Sequence, residues 1–198
     1  MKLGLILECP NQGTDHQVYN YVITTLCPGI SLNITGCVNK KDLINKCGPI
    51  AKILLESDHC DHVAIIWDAM PTWGGEPCRK KDIAAIHKSL KEEGIAPSRI
   101  KLICMEPELE GWFLVDGRGL TSYKADLCYP HPVKKCKAIK LSSASNQAKK
   151  IISRYLERSY NDIFDAIAIV KRYPNFDRIA RNHHSFSRLH QFIIKICD

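Results

Sequence analysis

Apolar positions along the first 117 residues alternate between short continuous runs and helically spaced ones. Leu3 to Leu7 is a continuous run ending at Glu8 and the breaker cluster Cys9-Pro-Asn-Gln-Gly13, which predicts a buried strand entering a loop. Thr14 is a candidate helix cap ahead of Val18, Tyr21, Val22 and Leu26, which share one helical face and stop at Pro28-Gly29. Ser31 to Val38 predicts a second strand, and Lys40 to Ser57 a second amphipathic helix through Leu43, Ile44, Cys47, Ile50, Ala51 and Leu54. His62 to Trp67 predicts a third strand ending at Asp68, followed by a loop from Ala69 to Pro77 and a helix from Arg79 to Glu93, stopped at Gly94. Ile100 to Met105 predicts a fourth strand, with Pro107 in a favoured first-turn position for a helix from Glu108 to Val115. Strands this apolar, alternating with helices, predict an α/β fold with a mostly parallel sheet of about four strands covered on both faces.

The pattern changes beyond Asp116. Gly117-Arg-Gly119 and Tyr129-Pro-His-Pro132 predict irregular chain, before helices near Asn146 to Arg158 and Tyr160 to Arg172. A last helix is predicted from Ser185 to Ile196, with Phe186, Leu189, Phe192, Ile193 and Ile196 on its apolar side. Residues 1–117 are therefore expected to form the α/β core, and residues 118–198 a basic helical extension. No Ser/Gly-rich linker separates them, so the extension is expected to pack on the core as part of one domain.

Composition narrows the class. A content of 45% hydrophobic and 25% charged residues in 198 excludes disorder as the dominant state. No apolar run reaches the roughly 18 residues of a membrane span, and the first residues lack a signal-peptide plan, so a cytoplasmic protein without membrane contact is expected. Ten cysteines are too sparse here for a disulfide scaffold, and most are expected as reduced thiols. The charge is uneven: residues 1–117 hold 12 Lys+Arg against 15 Asp+Glu, whereas residues 118–198 hold 16 against 6. Such separation suits either a solvated basic face or a polyanion held beside a carboxylate site, with nucleic acid the leading polyanion. Lys134, Lys135, Lys137 and Lys140 form one candidate phosphate-contacting group. Lys171, Arg172, Arg178, Arg181 and Arg188 form another around His183 and His184, open also to structural pairing with Asp162, Asp165 and Asp177.

The acids stand where ligands bind in open α/β sheets, beyond the carboxyl ends of strands: Glu8, Asp68 and Glu106, with Glu108 and Glu110 close behind. Such oxygens suit magnesium or manganese, which keep several waters and need few protein ligands. The plainer alternative is that they are charges at helix N-termini. Residues two apart on a helix point about 200° apart, so Glu108 and Glu110 cannot both face one ion if helical. Other motifs are weaker. His59-Cys-Asp-His62 offers zinc-type ligands, but no CxxC pair accompanies it. Gly74-Gly75 lacks a Walker lysine, and with Trp73 it forms either a lip over the acids or a plain loop. Trp112 and Phe113 are expected in the core.

The strand ending in Glu8, the strand ending in Asp68 and the stretch Glu108-Leu-Glu-Gly-Trp-Phe-Leu-Val-Asp116 resemble a Toprim-like family of prokaryotic proteins with the hallmark ELE-x-W-x-L-x-D. The likeness extends to Tyr155 and to Ser185-Phe-Ser-Arg-Leu189. It implies a Toprim-like fold and magnesium-assisted phosphodiester chemistry on nucleic acid, as in nucleases of genome defence. In that pattern a Glu follows the first strand and an Asp-x-Asp a later one; Glu8 and Asp68 fit, while Met70 stands in place of the second Asp. The resemblance therefore implies Asp68 as metal ligand and Glu8 as ligand or proton carrier, with Glu108 or Glu110 replacing the missing carboxylate. The alternative it leaves open is a non-catalytic Toprim-like module that binds nucleic acid or a partner protein from the same operon, in a defence or toxin-antitoxin system.

Overall fold

The structure is a computed structural model that describes residues 1–11, 13–69, 79–141, 147–173 and 175–197. Its strands are β1 (Lys2–Leu7), β2 (Ser31–Gly36), β3 (His62–Asp68) and β4 (Ile100–Met105), all parallel, in the order β2-β1-β3-β4. The first half supplies α1 (Thr14–Leu26), α2 (Lys40–Lys52, continued by a π-helical turn to Ser57), α3 (Arg79–Glu92) and the short α4 (Gly111–Val115). The second half supplies α5 (Arg118–Cys128), α6 (Ala148–Leu156), α7 (Asp162–Val170), α8 (Asp177–Asn182) and α9 (His184–Cys197).

The period-2 geometry of a strand sorts each run onto two sheet faces. Leu3, Leu5 and Leu7 of β1, Ala64 and Ile66 of β3, and Ile103 and Met105 of β4 join one buried cluster with α1, α4 and the helices of residues 118–197. Ile6, Val63, Ile65, Trp67 and Cys104 face the opposite way, onto α2 and α3. The C-terminal half is thus the cover of one sheet face, which without it would leave strand side chains in water. Trp112 is fully buried there, edge-on to Tyr19 and Phe186 at centroid distances of 5.6 and 4.5 Å.

Local chemistry accounts for the departures from the expected elements. Gly117 and Gly119, read as breakers, lie at and within the start of α5, because a Cβ at Gly119 would stand 2.6 Å from the Tyr173 ring. Close packing, not a turn, requires glycine there. The helix expected from Glu108 begins only at Gly111, since Gly111, Trp112 and Phe113 donate to carbonyls three residues back and form a tight approach turn. Gly13, not Thr14, occupies the cap of α1, and the buried face of that helix uses Tyr19 and Ile23 ahead of Tyr21 and Leu26. Cys27, after α1, is bonded to Cys197 at the end of α9, while seven other described cysteines are free thiols. Among the described residues, no helix is long and apolar enough to cross a membrane.

Candidate functional site

After β1 the chain crosses to β2 on one side of it, and later strands lie on the other. The switch of direction therefore falls between the carboxyl ends of β1 and β3, the crevice where doubly wound sheets receive ligands. Glu8 and Asp68 leave the sheet at those two ends. They are joined directly: Glu8 Oε2 accepts the Asp68 N–H at 3.2 Å, and the Glu8 N–H donates to Ile66 O at 3.2 Å. The loop after Glu8 is held down on β2 by close contact. The Gly36 N–H donates to Asn11 Oδ1 at 2.6 Å, and a Cβ at Gly36 would stand 2.2 Å from Cys9 O.

Electrostatics ties further acids to this pair. Burial, then the charges of Asp15, Glu110, Glu8 and Glu108, push the Asp68 carboxyl well above its ordinary range. Glu8 is raised from 4.5 to about 7, chiefly by burial, with Lys40 and the Asp68 amide opposing. Asp15, in the first turn of α1, is raised to about 7 by burial and by Glu110. Glu108 and Glu110 are raised too, mainly by burial. Like charges drawn from water in this way are each held toward the neutral form. Asp15 has no strand-end position and carries no motif, so sequence pattern alone did not single it out; the only signal was an acid in the first turn of the helix after β1.

The five acids are not equivalent. Glu110 is buried, with Oε1 accepting from the Tyr160 hydroxyl at 3.3 Å and lying 3.5 Å from Lys149 Nζ, which also donates to Asp162 at 2.9 Å. Burial works against the Lys149 charge, but Glu110 and Asp162 outweigh it and raise its pKa. Glu108 Oε1 is buried with no hydrogen-bond partner among the described residues, a costly state for a carboxylate oxygen that a ligand would relieve. Glu108 and Glu110 lie in the tight turn that leads into α4. Glu106 stands apart, paired with Arg79 at 3.3 Å and Arg188 at 3.6 Å. Lys40 faces Glu8; its Nζ donates to Ala69 O at 3.1 Å and lies 4.0 Å from Asp82.

The expected basic residues divide. Lys134, Lys135, Lys137 and Lys140 are exposed on an irregular segment anchored by the Cys136 N–H to Thr121 Oγ1 (2.9 Å) and the Ile139 N–H to Leu114 O (2.7 Å). Arg172 instead pairs with Asp126 and lies over the Tyr123 ring, and Arg188 donates to Cys104 O at 2.7 Å. Asp116, the last residue of the nine-residue motif, is fully buried and gripped by Arg118 at 2.6 Å, so it supports α5 and not the crevice. His59-Cys-Asp-His62 sits at the start of β3, the sheet end away from the acids. Met70, Trp73, Gly74-Gly75 and Cys78 lie outside the described residues.

The donor set, all carboxylate and one of its oxygens orphaned, fits a hard divalent cation. Among the described residues no group of three or more His, Cys, Asp or Glu is placed to hold a metal ion. Comparison with known proteins finds no matching family model, curated protein or solved structure.

Proposed function

We propose that this protein is a divalent-metal-dependent nuclease or related phosphodiesterase of Toprim-like type, acting on nucleic acid. The observation that carries the reading is the meeting of Glu8 and Asp68 at the switch crevice, where Glu8 Oε2 accepts the Asp68 N–H at 3.2 Å and the charges of Asp15, Glu110 and Glu108 also act on Asp68. Fold stability does not call for this arrangement, because each ionised acid raises the cost of the others. A function that supplies positive charge accounts for it. Asp68 and Glu108, with Asp15 in the role the pattern gives to a second Asp, would hold magnesium or manganese. Such an ion would stabilise charge developing on a phosphate and lower the pKa of an attacking water. Glu8, at about 7 and with Oε2 engaged by the Asp68 amide, is poised to take up or release a proton at Oε1 near neutral pH. Lys149 holds Glu110 in place, and the exposed Lys134, Lys135, Lys137 and Lys140 would contact phosphates without reading sequence.

The tie of Glu110 to Lys149 and Tyr160 favours a second reading: a non-catalytic module for nucleic acid or a partner protein. Incubating labelled single-stranded DNA, duplex DNA and RNA with the protein and manganese separates the two. Cleavage that chelation stops and Asp68→Asn abolishes supports the enzyme. Salt-sensitive binding without cleavage supports the module, and absence of both removes nucleic acid from the account.

A further inference from the structure

The turn that carries the acids also borders a cavity of about 180 Å³ that they do not use, lined among others by Glu106, Gly111, Lys140, His183, His184 and Ser185. The cavity is smaller than the ~300 Å³ at which small-molecule pockets begin. A phosphate group fits.

Its polar lining is arranged for an anion. His183 is 7% exposed, and its Nδ1 accepts the Phe186 N–H at 3.4 Å and meets Ser185 Oγ at 3.1 Å. Ser185 Oγ in turn accepts the Glu106 N–H at 3.2 Å, so its hydroxyl proton is free for Nδ1. With Nδ1 an acceptor, the ring proton lies on Nε2. Burial, Arg188 and His184 hold the imidazole down to about 4, so it is neutral at pH 7 and this tautomer persists. Nε2 has no hydrogen-bond partner among the described residues. A Cβ on residue 111 would come within 3.1 Å of it, and the glycine leaves that approach open. Charge agrees. Among the described residues Glu106 is the one acid of the lining, and Arg79 and Arg188 both hold it, while Lys140 adds a further positive charge. The 14-residue α9 begins at the cavity, adding the positive end of its dipole.

We propose that this cavity is a phosphate subsite that takes a terminal phosphomonoester group, with His183 Nε2–H and Lys140 as donors. It goes beyond the reading of the acids and stands without it. Inorganic phosphate is titrated into the full chain, free of divalent metal, by calorimetry and ³¹P NMR. Saturable binding is expected, weakened at least tenfold by Lys140→Glu and by His183→Asn. Asn keeps a good helix cap, circular dichroism checks that both variants fold, and Glu8→Gln should bind as the wild type does. Absence of saturable binding, or equal binding by both variants, overturns the proposal. Oligonucleotides with and without a 5′ phosphate identify the source. A preference for the phosphorylated strand that Lys140→Glu erases assigns the group to a strand end; phosphate binding without that preference assigns it to a small phosphorylated ligand, and either supports the subsite. Loss of phosphate binding with manganese binding intact removes this subsite alone, and the reverse removes only the reading of the acids.

Discussion

Neutralising Glu8 should stabilise the metal-free protein while damaging its function. The fold raises the Glu8 pKa from 4.5 to about 7, so between those values the native state binds a proton that the unfolded chain has released. Stability from this group is therefore present at low pH, falls as pH rises through that window, and is gone above about 7. At about 1.36 kcal/mol per pH unit, ionising Glu8 in place costs at most about 3 kcal/mol at pH 8. The side chain is only half-buried, so solvent screening reduces this to about 1–2 kcal/mol. Glu8→Gln keeps an oxygen for the Asp68 amide and avoids that cost. Urea unfolding in chelator should show it more stable than wild type by about 1–2 kcal/mol at pH 8, or about 2–8 °C in Tm, shrinking to roughly a quarter at pH 5. Manganese should then stabilise the wild type more than the variant. A variant no more stable than wild type at pH 8, or equally stabilised at both pH values, would refute the electrostatic reasoning.

The Cys27–Cys197 bond closes a loop of 170 residues, for which chain entropy gives a stabilisation of about 5 kcal/mol; reductant, or the Cys27→Ser/Cys197→Ser variant, should lower the urea midpoint, and an unchanged midpoint would count against the bond. Gly36→Ala places a methyl against Cys9 O and should cost about 1–3 kcal/mol. It should also weaken manganese binding by displacing the loop after Glu8, so a variant with wild-type affinity would show that the loop does not position that acid.

The strands were legible because a parallel sheet buried on both faces imposes continuous apolar runs, and β4 runs from Ile100 to Met105, as its pattern predicts. The second half was harder to read. Gly119 signals a break by composition, yet it is helical because Tyr173, 54 positions away in sequence, needs the space. The site divides along the same line. Glu8 and Asp68 announce themselves as acids directly after strands, a local signal. Asp15 is affected by Glu110, 95 positions away in sequence, and the engagement of Arg172 and Arg188 with Asp126 and Glu106 likewise depends on long-range packing.

Manganese titration by calorimetry tests the central claim most directly. The wild-type chain should bind manganese saturably, and more tightly as pH rises from 6 to 8, because Asp15, held at about 7, must lose its proton as the ion binds. Asp68→Ala should abolish it. No binding at pH 8, or binding that survives Asp68→Ala unchanged, would show that these acids are not a metal site.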